Sequence, residues 1–104
     1  MLLRDKDRQA LLEIAATTLK TPVEIWAYGS RVNGEAHDTS DLDLVIRTTH
    51  LTPLDHSELH NFITALDDSN IPILIQAFDW SSLPESFHHN ILQKYEILKT
   101  FDAT

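Results

Sequence analysis

Two strand-like runs, "VEIWAYGS" at residues 23–30 and "DLDLVIRTT" at residues 41–49, are separated by only the ten residues Arg31 to Ser40. A parallel crossover needs a dozen residues or more, usually including a helix, so these strands must pair antiparallel. Any fold open to this chain has to contain that pair. Antiparallel pairing sets the end of the first strand, Gly29-Ser30, beside the start of the second, Asp41 and Asp43. Residues i and i+2 of a strand share a face, so both carboxylates point the same way.

The flanking segments supply helices. Leu11, Leu12, Ile14, Ala15 and Leu19 recur at three- and four-residue spacings over residues 5–20, which predicts an amphipathic helix stopped by Thr21-Pro22. Pro53 and Asp55 introduce a second helix carrying Leu59, Phe62, Ile63 and Leu66, closed by Asp67 to Asn70. The apolar run "IPILIQAFDW" predicts a third strand buried on both faces. From Ser82 as N-cap, with Pro84 in the first turn, Leu83, Phe87, Ile91, Tyr95 and Leu98 predict a final helix. The order is α-β-β-α-β-α. It describes an α/β (α+β) fold with a small mixed three-stranded sheet backed by helices, in one domain spanning residues 1–104.

The two acids raise an electrostatic problem. Like charges sharing a site raise each other's proton affinity and call for a cation. Oxygen donors of this kind suit Mg2+, which takes one or two carboxylates and completes its shell with water and substrate phosphates. Gly29 allows close backbone approach and Ser30 offers a hydroxyl, so the segment has parts for an anion as well as for its counter-ion. Gly34, the other of the chain's two glycines, serves the loop that returns Asp41 and Asp43 to Ser30. Taken separately, Gly-Ser is a common turn dipeptide and Asp-Leu-Asp could be an exposed strand end. The spacing that joins them is the informative feature.

The formal charge of -8 is unevenly spread. Between Val32 and Gln93 the only Lys or Arg is Arg47, against ten acids. Such a surface repels a phosphate backbone, so direct DNA binding is not expected, and an anionic substrate must bring cations with it. The absence of cysteine excludes disulfides and thiolate zinc sites and suits a cytoplasmic protein. The opening "MLLRDKDRQALLEIAATTLK" is charged from Arg4 onward, and no apolar run reaches membrane-spanning length.

Gly29-Ser30, ten residues, then Asp41-Leu42-Asp43 resembles the GS-x10-DxD signature of the DNA polymerase β-like nucleotidyltransferase superfamily. More narrowly, the chain is similar to the minimal nucleotidyltransferases, single-domain proteins usually paired with a HEPN-domain partner. The likeness takes in the leading helix, "WAYGSRVNGEAHDTSDLDLVI" and the tail "FDWSSLPESFHHNILQKYEIL".

The resemblance implies that Asp41 and Asp43 hold two Mg2+ ions that clamp ATP for attack at its α-phosphate. It implies that Gly29 and Ser30 contact the β- and γ-phosphates. Arg31 matches an often basic position, either a further phosphate contact or a solvent-facing arginine. It further implies transfer of AMP to a hydroxyl of a HEPN-domain toxin, with this chain as antitoxin.

One position departs from the family. Its third strand usually follows P-x-x-V-D-x-x-D-W, whereas this chain reads "PILIQAFDW" and places Gln76 where the third acid is expected. Glutamine brings no charge and cannot act as a general base. Asp79, three residues on, should face the other way unless a bulge intervenes. An alternative therefore stands beside transfer, namely a nucleotide-binding module that neutralises its partner by binding alone. His56 and His60 have helical i, i+4 spacing but no third ligand, and solvent exposure is the simpler reading. Trp26 and Trp80 are read as sheet core or a partner interface.

Overall fold

The computed structural model describes residues 3–29 and 41–102. Helix α1 (Asp5–Thr18) leads into β1 (Val23–Tyr28), and β2 (Leu42–Thr48) follows. Helix α2 (His56–Asp67), β3 (Ile75–Asp79), a 3-10 turn (Trp80–Ser82), α3 (Glu85–Gln93) and β4 (Tyr95–Phe101) complete the described order. The sheet runs β3-β2-β1-β4. Strand β1 is antiparallel to both β2 and β4, and β2 is parallel to β3.

Strand alternation divides the apolar residues between two faces. Ile25 and Ala27 of β1, Leu42, Leu44 and Ile46 of β2, and Ile75 and Ala77 of β3 pack on Leu11 and Ala15 of α1 and Phe62 and Leu66 of α2. On the opposite face Trp26, Tyr28 and Val45 meet Trp80 and Ile91. Strand β2 was expected to have one apolar face. Val45 is fully buried in this second cluster, so β2 is covered on both sides over its middle.

Asp55 caps α2 by accepting from the backbone N–H groups of Ser57 and Glu58. Glu58 ties α2 to the chain leaving α1, accepting from the N–H groups of Lys20 and Thr21 and from the Thr21 hydroxyl. Burial pushes the Glu58 carboxyl up, but these three donors outweigh it and hold the group below its ordinary value of 4.5.

Three expectations are corrected. The sheet has four strands, because the final helix stops at Gln93 and Tyr95–Phe101 pairs with β1. The four-residue apolar spacing from Leu83 to Ile91 continues by coincidence into Tyr95 and Leu98. The latter sits where the β1–β4 register shifts, and is buried on the helix side. Pairing with β4 covers an edge of β1 that a three-stranded sheet would leave open. Strand β3 is itself an edge strand, not a doubly buried one, and its residues alternate, with Gln76 and Phe78 exposed. Finally, Pro84 is the N-cap of α3, and the Ser82 hydroxyl instead donates to the Asp79 carbonyl at 2.8 Å.

Candidate functional site

Register assembles the site. Asp43 lies opposite Tyr28 on β1 and beside Gln76 on β3, so Tyr28, Asp43 and Gln76 form one row across three strands. Alternation places this row on the face away from α1 and α2. Asp41 is exposed immediately before β2. Next to it, the Leu42 N–H donates to the Leu74 carbonyl at 2.9 Å, which anchors the start of β2 to the segment entering β3.

Gly29 ends β1 with φ of +83°, a conformation that disfavours any side chain. A Cβ built there would lie 2.6 Å from Asp43 Oδ2, well inside contact distance. Glycine is thus required twice, by the backbone turn and by the carboxylate pressed against it. Two expected participants, Ser30 and Arg31, lie outside the described residues, as does Gly34.

The electrostatics follow from this packing. Burial, and then the charge of Asp41, push the Asp43 carboxyl above its ordinary value of 3.8. Burial, and then Asp43, push the Tyr28 phenol up to about 12. Tyr28 therefore remains protonated near neutral pH and offers an O–H, not a phenolate. Sequence reasoning passed over Tyr28, although its place just before Gly29 and opposite Asp43 follows from the strand pairing.

Asp79 faces the other side, as its spacing from Gln76 required. It is buried, caps the 3-10 turn by accepting from the Ser81 N–H, and accepts from the Leu54 N–H at 2.9 Å. Its carboxylate is occupied in joining β3 to the chain entering α2, so it does not stand in for an acid at position 76.

A stacked layer supports the site face beyond Val45. The Arg47 guanidinium carbon lies 4.1 Å from the Trp26 ring centroid and 4.4 Å from that of Trp80. Tyr95 stacks on Trp26 with centroids 4.0 Å apart, and His88 on Trp80 at 3.9 Å. The Trp26 N–H donates to Glu24 at 2.8 Å. Trp26 and Trp80 are core residues, as expected, but the arginine that lies over both rings was not anticipated. Its signal was the isolation of Arg47 in an acidic stretch. His56, His60 and His89 are exposed, and no cluster of three or more His, Cys, Asp or Glu suited to a metal occurs among the described residues. No helix among them is long and apolar enough to cross a membrane.

Residues 9–103 match the family described as polymerase beta, nucleotidyltransferase. The chain belongs to this family. It is 30% identical over 95 residues to a probable protein adenylyltransferase MntA of Haemophilus influenzae, covering 91% of this chain and 82% of that protein. Among solved structures, a toxin-antitoxin crystallised with AMP-PNP superposes with a TM-score of 0.71 at 15% identity, over 88% of this chain and 72% of that one. A protein from Shewanella oneidensis superposes with a TM-score of 0.69 at 12% identity, over 93% and 72%. A mutant MntA-HpeT toxin-antitoxin complex gives 0.70 at 13% identity, over 88% and 72%. At such low identity these structural likenesses establish the fold, which is the one the Gly-Ser and Asp-Leu-Asp signature implied.

Proposed function

We propose that this chain is a Mg2+-dependent nucleotidyltransferase that moves AMP from ATP to a hydroxyl on a HEPN-domain toxin, and so acts as an antitoxin. The observation that carries this reading is the convergence of Gly29, Asp41 and Asp43 at one end of the β1–β2 pair. The family and the names of its relatives support it. Fit to a divalent cation is supported by the raised Asp43 carboxyl, since a half-buried acid beside a second acid is relieved by a cation bound to both.

Asp41 and Asp43 would hold the metal, which in this chemistry neutralises phosphate charge and makes the α-phosphorus more electrophilic. Gly29, with Ser30 and Arg31, would seat the β- and γ-phosphates. The acceptor oxygen forms its bond to the α-phosphorus as the bond to the bridging oxygen breaks; pyrophosphate leaves, and the acceptor's proton is lost to water. Gln76, beside Asp43, can orient the acceptor through its amide but cannot take the acceptor's proton.

Incubation with ATP, Mg2+ and the cognate toxin should add one or more AMP masses to the toxin, and Asp43→Ala should abolish the addition. A toxin left unmodified by the wild type would refute transfer.

The position of Gln76 favours a second reading, in which the site binds nucleotide and the toxin is silenced by occlusion. Replacing Gln76 with Asp separates the two. Activity that appears only in the variant supports the binding module, whereas a fully active wild type removes the reason for it.

A further inference from the structure

We infer that the cavity between the end of β1 and α3 receives the base of the nucleoside triphosphate, and that Phe87 and Asn90 hold it; this rests on the nucleotide reading of the Asp43 site. The cavity measures about 310 Å3, and Tyr28, Gly29, Phe87, Asn90, Gln93 and Lys94 contribute to its lining. That volume is at the lower end of the range usual for small-molecule pockets, about 300–1,000 Å3.

Position is the first argument. Gly29 borders the cavity, and the Asp43 carboxylate packs directly against Gly29, so the cavity lies one residue from the proposed phosphate and metal site. Other cavities open elsewhere, one at the far end of β1 beside Val23 and Thr48, another between α1 and β4.

Chemistry is the second. Phe87, on α3, is 41% exposed. Its ring meets Tyr28 edge to face, with centroids 6.2 Å apart and planes at 87°. The ring is thereby braced by a buried neighbour while much of its own surface stays open, the arrangement of a stacking platform. Asn90 and Gln93 bring two exposed amides to the same cavity, each carrying a donor and an acceptor. An aromatic face with neighbouring amides is how proteins hold a base and read its edge, and the amide pattern pairs best with adenine. Lys94 offers the rival occupant, since an ammonium at the cavity would equally attract the phosphate tail.

The test compares two probes, Mg-ATP and Mg-tripolyphosphate, by isothermal titration on the full chain. Phe87→Ala and, independently, Asn90→Ala should each weaken ATP about tenfold, or about 1.4 kcal/mol, and leave tripolyphosphate unchanged. Equal losses for both probes would assign the cavity to the phosphates and overturn the proposal. Unchanged ATP affinity in both variants, with Asp43→Ala still abolishing binding, overturns the base pocket and leaves the nucleotide site standing. A wild type that binds neither probe overturns both.

Discussion

Gly29→Ala separates two costs that act at the same atom position. The φ of +83° imposes the left-handed penalty of about 1–2 kcal/mol on any residue with a Cβ. The new methyl would also meet Asp43 Oδ2 at 2.6 Å, so the carboxylate must turn away, at a further cost of order 0.5–1.5 kcal/mol. Together these destabilise the chain by about 1.5–3.5 kcal/mol, a fall in Tm of about 6–28 °C for a domain of this size. In an Asp43→Ala background the carboxylate is gone. What remains is the β-carbon of residue 43 at 3.7 Å, an ordinary contact, so only the backbone penalty should persist. Urea unfolding of the four proteins, read at constant m-value, gives the coupling directly. A coupling of about 0.5–1.5 kcal/mol is expected. If the two substitutions are additive within about 0.3 kcal/mol, the carboxylate does not press on Gly29 and the account of this turn is wrong.

Three further outcomes follow from the charges and hydrogen bonds. Asp43 is raised above 3.8 in the folded chain, so the folded state binds its proton more tightly, and stability falls as pH rises through the raised value. In metal-free buffer Asp43→Asn should therefore exceed the wild type in stability at pH 7 and lose that lead at pH 3; an equal lead at both would refute the electrostatic cause. Glu58 is lowered, so its contribution is present above about 4.5 and disappears as pH falls through the folded value. Glu58→Gln should cost less than about 1 kcal/mol at pH 7, since the carboxylate is largely open to solvent and the amide oxygen still accepts, and should flatten the acid limb of the stability profile, measured by urea titration across pH. Asp79→Ala strands the buried Leu54 N–H and should cost about 2–3 kcal/mol in the same assay, with Asp79→Asn recovering part of it because its amide oxygen still accepts.

Local pattern made much of this legible. The short link between β1 and β2 forced their antiparallel pairing, and strand parity then placed Asp43 on the face away from α1 and α2, and Asp79 on the opposite face from Gln76. Helices α1 and α2 followed from spacing because each buries one stripe against the sheet. The segment Tyr95–Phe101 was misread because its apolar residues extend the period of α3, and only distant pairing with β1 turns it into a strand. Strand β3 was misread for a related reason. An unbroken apolar run records hydrophobicity but not position in a sheet, and at the edge two of its residues are left to solvent. The packing of Arg47 over both Trp26 and Trp80 joins β2, β1 and the turn after β3, so no window of sequence contains it. The cavity beside Gly29 was hidden likewise, because its walls come from residues about sixty positions apart.

Gln76 acquires a second meaning from the same register. An acid there would be a third carboxylate in the neighbourhood of Asp43, which is already pushed up by burial and by Asp41. Glutamine therefore lowers the electrostatic strain of the metal-free fold while leaving an amide able to touch an acceptor or a metal. Under the proposed function, the consequence is a trade between stability without ligand and chemistry with it. Gln76→Asp should accordingly melt lower than the wild type in chelator and gain more from added Mg2+. A variant that melts no lower in chelator would mean that charge is not what position 76 controls, and the absence of an acid there would have to be explained by the acceptor alone.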